Sequence, residues 1–252
     1  MRNLRLISRL DIKAPNLVKG IQLEGLRKLG SPNVFAKKYY KQGIDEIIYI
    51  DIVASLYERN SLLDIIEETT KNVFVPITVG GGLRSVGDVE KALRAGADKV
   101  AINTAALKRP ELITEIANQF GSQCIVLSIE AKKQSQSWEA FYDNGREHSN
   151  LDAIEWAIRG EQLGAGEILL TSVDQEGTGK GFDLNLIEKV TKNVNIPVIS
   201  SGGMGNLDHL NQAVLEAKTD AVAMANVLHY NKLELSQIRN HCINNHIQVR
   251  NL

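Results

Sequence analysis

The feature that most restricts the fold of this chain is an internal repeat. VPITVGGGLRSVGDVEKALRAGADKVAIN (Val75–Asn103) returns as IPVISSGGMGNLDHLNQAVLEAKTDAVAMA (Ile196–Ala225). Pro76 meets Pro197, Gly81-Gly82 meet Gly202-Gly203, and Asp98 meets Asp220 after one inserted residue. GIDEII (Gly43–Ile48) likewise matches GAGEIL (Gly164–Leu169), setting Glu46 on Glu167, and Asp11 falls opposite Glu130. The offset is about 121 residues in a chain of 252, close to half its length. Generic strand–helix similarity is the plainer explanation, but the joint match of Pro, Gly-Gly, Glu and Asp favours duplication over it. Two duplicated halves, over about 1–120 and 121–252, are therefore expected.

Short β-branched runs alternate with amphipathic stretches along both halves. The strands expected are Leu6–Leu10, Glu46–Ile50, Ile77–Val79, Lys99–Ile102, Cys124–Ile129, Glu167–Thr171, Pro197–Ser200 and Ala221–Met224. Each is followed by a helix-sized segment; VGDVEKALRA (Val86–Ala95) has apolar residues at i, i+3 and i+7. Eight strand–helix units in 252 residues spell a single α/β domain, a (βα)8 TIM barrel made of two half-barrels. No Pro-, Gly- or Ser-rich linker divides the chain. Ser135–Ser149 (SQSWEAFYDNGREHS) interrupts the alternation after strand five, and its Asn144-Gly145 signals a small hairpin where a barrel carries its working loops.

Composition excludes several functions. The chain carries 29 Lys+Arg against 30 Asp+Glu, so it lacks the basic excess of a dedicated nucleic-acid binder. Cys124 and Cys242 make neither a disulfide framework nor a Cys-x-x-Cys pair, which fits a reducing cytoplasm. The N-terminal MRNLRLISRL has Arg5 and Arg9 inside its apolar run, unlike a signal peptide, and no apolar run is long enough to span a membrane. The five histidines show no metal-ligand spacing, and nothing resembles a Ser-His-Asp or Cys-His site.

The residues that carry chemistry fall into three groups. Gly80-Gly81-Gly82 follows strand three and Ser201-Gly202-Gly203 follows strand seven. Such turns let backbone N–H groups approach an anion, and two of them suit a ligand phosphorylated at both ends, with Asn103 and Thr104 beside Gly82. Asp11 and Glu130 end strands one and five on opposite walls, where two carboxyls can serve as general acid and base, or simply cap turns. Asp51 ends strand two, Thr171 ends strand six, and Glu176 follows it; each can bind ligand or only solvate a loop. At the other end, Arg5, Glu46, Lys99 and Glu167 open strands one, two, four and six. Read from the residues alone, these four make a salt-bridge plug or, alternatively, a gate to an axial passage. Arg5 and Asp11 share strand parity, as do Lys99 with Asn103 and Glu167 with Thr171; Glu46 and Asp51 do not, so a bulge is needed or one of them points away.

RLDIKAPNLVKG (Arg9–Gly20), DIVAS (Asp51–Ser55), TVGGGLRS (Thr78–Ser85), GADKVAINTAAL (Gly96–Leu107), FGSQ (Phe120–Gln123), GAGEILLTSVD (Gly164–Asp174) and SSGGMG (Ser200–Gly205) together resemble the cyclase subunits of imidazole glycerol phosphate synthase, in the histidine-biosynthesis barrel family. The resemblance covers nearly the whole chain and implies no metal and no redox cofactor. It implies a partner glutaminase on the N-terminal barrel face, with ammonia passing through the barrel to a bisphosphorylated ribulosyl-formimino-aminoimidazole-carboxamide ribonucleotide. The products would be imidazole glycerol phosphate and aminoimidazole carboxamide ribonucleotide. Asp11 then matches a catalytic aspartate and Lys19 the lysine of a mobile loop after strand one. Gly82, Asn103 and Thr104 match one phosphate site, Gly177 and Gly203 the other. Arg5, Glu46, Lys99 and Glu167 match an ammonia gate in full.

Three positions depart from the family pattern. Glu130 and Glu176 stand where it has aspartates, and Asn226 where it usually has serine. An extra methylene moves a carboxylate by about 1 Å, enough to cost about 10²-fold in a positioned reaction. The departures leave open a divergent paralogue that only channels ammonia to an amidotransferase forming amidines on surface sugars. A sister isomerase with two opposed aspartates is a third reading, disfavoured because it needs no gate.

Overall fold

The computed structural model describes residues 3–54 and 62–251; Ser55, the last residue of the DIVAS motif, lies outside them. Among the described residues twelve strands form in chain order. They are β1 (Arg5–Lys13), β2 (Asn16–Ile21), β3 (Glu24–Gly30), β4 (Glu46–Asp51), β5 (Ile77–Gly80), β6 (Lys99–Ile102) and β7 (Ile125–Gln134), followed by β8 (Ser137–Tyr142), β9 (Glu147–Asp152), β10 (Glu167–Ser172), β11 (Val198–Ser201) and β12 (Ala221–Met224). β1 pairs in parallel with β4, β4 with β5, and so through β6, β7, β10, β11 and β12 back to β1. The eight-stranded parallel barrel is thus closed and has no free edge, the (βα)8 architecture read from the sequence.

Most expected strands match within a residue or two. The two large differences share a cause. Strand one runs on to Lys13 and strand five to Gln134, because each folds back on itself as an antiparallel arm beyond the barrel rim. β2 and β3 extend β1, with Asp11 opposite Val18, while β8 and β9 extend β7, with Glu130 opposite Phe141. The hairpin expected around Asn144-Gly145 is the turn between β8 and β9, where Asp143, Asn144 and Gly145 all have positive φ. Cys124 falls in a short 3-10 turn rather than in the strand.

Aspartates fix where strands begin. Asp98, just before β6, accepts the N–H of Ile77 (2.8 Å), and Asp220, just before β12, accepts that of Val198 (2.9 Å). Asp45 does the same for Leu6 ahead of β4 (2.8 Å). Helix starts are capped by the side chains of Ser85, Asp152, Asp183 and Asn206, which accept the otherwise unpaired N–H groups of the first turn.

Alternation along the strands divides the core in two. Leu6, Leu10, Ile47, Tyr49, Ile168 and Leu170 face outward into the layer between strands and helices. Ile7, Ile48, Ala101, Val126, Leu169, Ile199, Ala221 and Ala223 face inward and form a separate aliphatic layer across the barrel. Inward parity on β1 is therefore Arg5, Ile7, Arg9 and Asp11. On β4 it is Glu46, Ile48 and Ile50; the register with β1 is regular through Ile12 opposite Asp51, so no bulge separates Glu46 from Asp51 and the two differ in parity.

Candidate active site

The four charges at the barrel floor form a closed ring. Arg5 binds Glu46 (Nη1–Oε1 2.9 Å) and, through Nη2, Glu167; Lys99 binds Glu46 (3.2 Å) and Glu167 (2.9 Å). Cation and anion alternate, and each carboxylate is shared by both cations. Both glutamates are buried, while the Arg5 and Lys99 side chains remain 24% and 20% exposed at the N-terminal end. Above the ring lies the aliphatic layer, and above that the polar mouth.

At the mouth, β1 and the β2–β3 arm assemble a chain of buried charges. Arg9 Nε donates to Asp11 Oδ1 (2.8 Å), Lys19 Nζ to Asp11 Oδ2 (3.3 Å), and Lys19 also pairs with Glu176. All four are at most 3% exposed. Burial alone would raise the Asp11 carboxyl, but Arg9 and Lys19 outweigh it and hold Asp11 down at about 2. Burial also opposes the charge on Lys19, yet Glu176 and Asp11 raise its pKa. Lys19 lies, as expected, in the segment that follows the first barrel strand, which here forms β2. The turn between β2 and β3 keeps it there: Gln22 N–H donates to the Glu176 carbonyl (2.7 Å) and Leu23 is buried.

Glu130 faces this chain from β7, four strands round the barrel from β1. Burial pushes its carboxyl up to about 7; Asp11 and Asp143 add to the rise, against the Arg9 charge and the N–H of Gly145, which donates to Oε2 (2.7 Å). The two opposed acids are therefore split as acid–base partners must be, with Asp11 ionised and Glu130 titrating near neutrality.

Glu130 also lines a cavity of about 390 Å³ at the mouth, with Asp51, Gly82, Asn103, Thr104 and Asn144. Gly81 makes the turn possible: its φ is +93°, and a Cβ would stand 2.2 Å from the Asp51 carbonyl oxygen. Asn103 Nδ2 donates to the Phe141 carbonyl (3.1 Å) and Thr104 Oγ1 accepts the Asp143 N–H (3.1 Å), so the β8–β9 arm rests on the expected phosphate residues. Across the mouth, Glu176, Gly177, Ser201, Gly202, Gly203 and Asn226 surround a second cleft of about 20 Å³. A space of that size holds about one water, less than a phosphate group. The two glycine turns thus differ in this state: one opens on a cavity and the other is nearly closed.

Sequence reasoning missed Arg9, which it saw only as an interruption of an apolar run. Besides Asp11, Arg9 binds Thr171 Oγ1 (2.9 Å) and Ser201 Oγ (3.2 Å), linking three barrel strands. Its shared parity with Arg5 and Asp11 was the available signal. His229 was missed too. Its ring lies between Tyr39 OH (2.7 Å) and the Arg9 carbonyl (3.1 Å), and burial, with Lys19, lowers its pKa to about 4. Among the described residues no group of three or more His, Cys, Asp or Glu is placed to hold a metal ion, and no helix is long and apolar enough to cross a membrane.

A closed (βα)8 barrel with opposed acids and glycine turns at the C-terminal ends of its strands has the layout of a TIM-barrel enzyme. The chain belongs to the histidine biosynthesis protein family, whose model matches residues 5–234. It is 64% identical over 212 residues to the imidazole glycerol phosphate synthase subunit HisF of Legionella pneumophila, a match covering 84% of this chain and all of that protein. Over 250 residues it is 43% identical to the subunit of the same name from Dehalococcoides mccartyi, covering 99% of each.

Proposed function

We propose that the chain is the cyclase subunit of an imidazole glycerol phosphate synthase, acting in the cytoplasm with a glutaminase partner on its N-terminal face. Ammonia released there passes the Arg5–Glu46–Lys99–Glu167 ring and the aliphatic layer to the mouth. It then converts the bisphosphorylated ribulosyl-formimino-aminoimidazole-carboxamide ribonucleotide to imidazole glycerol phosphate and aminoimidazole carboxamide ribonucleotide. The observation that carries this reading is the stacking, in one barrel, of a closed charge ring below and two opposed acids with separated pKa values above. A passive plug explains the ring but not the acids.

The residues then take distinct roles. Glu130 moves the proton, since its carboxyl exchanges near neutral pH. Asp11, kept ionised by Arg9 and Lys19, stabilises positive charge on the ligand. The Gly82–Asn103–Thr104 side takes one phosphate. Gly177, Ser201, Gly202, Gly203 and Asn226 take the other once the β2–β3 arm, which packs on Gly177, opens the cleft; Lys19 stays paired with Glu176 and neutralises a carboxylate that would otherwise repel the phosphate. Asp51 borders the ligand space, and Thr171 acts on it through its hydrogen bond to Arg9.

The matched glycines, with φ of +93° at Gly81 and +94° at Gly202, and the identical jobs of Asp98 and Asp220, support one domain descended from two half-barrels. The test is ammonium-driven turnover of the bisphosphate substrate by the purified chain, beside Glu130→Asp and Asp11→Asn. Wild-type turnover lost in Asp11→Asn is expected. A wild type inactive at high ammonium, with activity appearing only in Glu130→Asp, would sink the reading.

A further inference from the structure

Arg9 and Lys19 are both buried cations of the mouth. Arg9 faces inward from β1 and is 2% exposed. β11 lies two strands round the barrel from β1 and β10 three, yet Nη1 reaches Ser201 on the one and Thr171 on the other. The guanidinium therefore lies across the barrel, above the aliphatic layer. Its Nε binds Asp11, which by register is level with Ile50 in the wall of the larger cavity. The remaining nitrogen, Nη2, makes no hydrogen bond among the described residues and is not one of the fully buried unpaired atoms, so it keeps a small accessible edge. A donor without a protein partner is costly where water is excluded, so this edge of the guanidinium is placed to meet a ligand acceptor.

We propose that Arg9 is a catalytic residue whose Nη2 donates a hydrogen bond to a carbonyl oxygen of the acceptor at the point where ammonia adds. This rests on the cyclase reading above. Charge selects the acceptor group. Arg9, Asp11, Lys19 and Glu176 are linked and sum to zero, so the site has no spare cation for a carboxylate and suits an uncharged carbonyl. In the step, the nitrogen lone pair forms the C–N bond and the carbonyl π pair moves to oxygen, where Arg9 stabilises it. The oxygen takes a proton from the Glu130 carboxyl, and the added nitrogen returns one to the Glu130 carboxylate. The product is a carbinolamine, with no change in oxidation state.

Two measurements on Arg9→Met and Arg9→Lys test this. Loss of one such donor costs about 10²–10³-fold in kcat. Ammonium-driven kcat should fall by that factor in Arg9→Met, with KM for ammonium moving by less than about threefold. Arg9→Lys, which keeps the charge and a donor, should recover part of it. Independently of turnover, the wild type should bind ribulose 5-phosphate more tightly than ribitol 5-phosphate, which lacks the carbonyl, and Arg9→Met should lose that preference. If a folded Arg9→Met keeps kcat within about threefold, or the ketone preference survives in it, Arg9 is only a strand tie and the cyclase reading stands. If wild type prefers the ketone but turns over no bisphosphate substrate, the cyclase reading falls and the Arg9 contact stands. Should Arg9→Met fail to fold, the same two readouts in Arg9→Lys decide.

Discussion

Replacing Glu130 by Gln separates the folded protein from the consequences of burying an acid. The carboxyl moves from 4.5 to about 7 on folding, chiefly because it leaves water for the barrel mouth. Between those values the native chain binds more protons at this site than the unfolded chain, so stability falls as pH rises. The contribution is fully present below about pH 4.5 and gone above about pH 7. One pKa unit corresponds to about 1.4 kcal/mol, so wild type should lose about 2 to 3 kcal/mol between pH 5 and pH 8 through this residue alone. Glutamine cannot titrate, but its amide oxygen can still accept the Gly145 N–H. Denaturant unfolding of both proteins at pH 5, 6.5 and 8 isolates the effect, because every other titrating group cancels in the difference. The variant should gain on wild type steadily across the series. A stability difference constant to within about 0.5 kcal/mol would refute the argument that burial holds Glu130 protonated, and with it the proton-transfer role.

Asp11→Asn should cost about 3–5 kcal/mol, since it strips the shared carboxylate from two buried cations. The depressed pKa of Asp11 adds a second signature: its contribution is present above about pH 3.8 and lost as pH falls through about 2, so the acid limb of a stability–pH curve should flatten in the variant. Gly203→Ala places a Cβ 1.9 Å from the Gly181 carbonyl oxygen at φ +105°, and should cost more than about 2 kcal/mol by denaturation and abolish binding at that turn. Gly87→Ala, in the helix Val86–Arg94 with its nearest contact at 3.7 Å, should be neutral or stabilising by up to about 1 kcal/mol. Lys99→Ala, assayed with the glutaminase, should change the ratio of glutamine-driven to ammonium-driven rates by about tenfold, and an unchanged ratio would make the ring a plug.

Sequence periodicity located the barrel because parallel strands buried on both faces are near-continuous β-branched runs, such as Glu46–Asp51 and Glu167–Ser172. The β2–β3 arm stayed hidden for the opposite reason. Its tight turn is Gln22-Leu23, with φ of +51° and +64°, where a local signal would have required Asn-Gly or the like. Contacts with the Val173–Gly177 loop hold that conformation, and those cannot be read from neighbouring residues. The acids and the ring were legible because strand-end position and parity place them. Arg9 was not, because a charge amid apolar residues reads as a break until its inward parity is followed across the barrel. Asp51 has the outward parity of β4 without a bulge, yet as the last residue of the strand it reaches the rim of the mouth cavity.

The ring at the floor has a consequence for how any protein finds this face. Its two cations and two anions alternate around a closed circuit, so their fields cancel within a few ångströms. What remains beyond that distance falls off far faster than the field of a single charge, and salt screens it further. Diffusional steering toward the N-terminal end must come from charges elsewhere, and the ring can be sensed only by groups already seated against it.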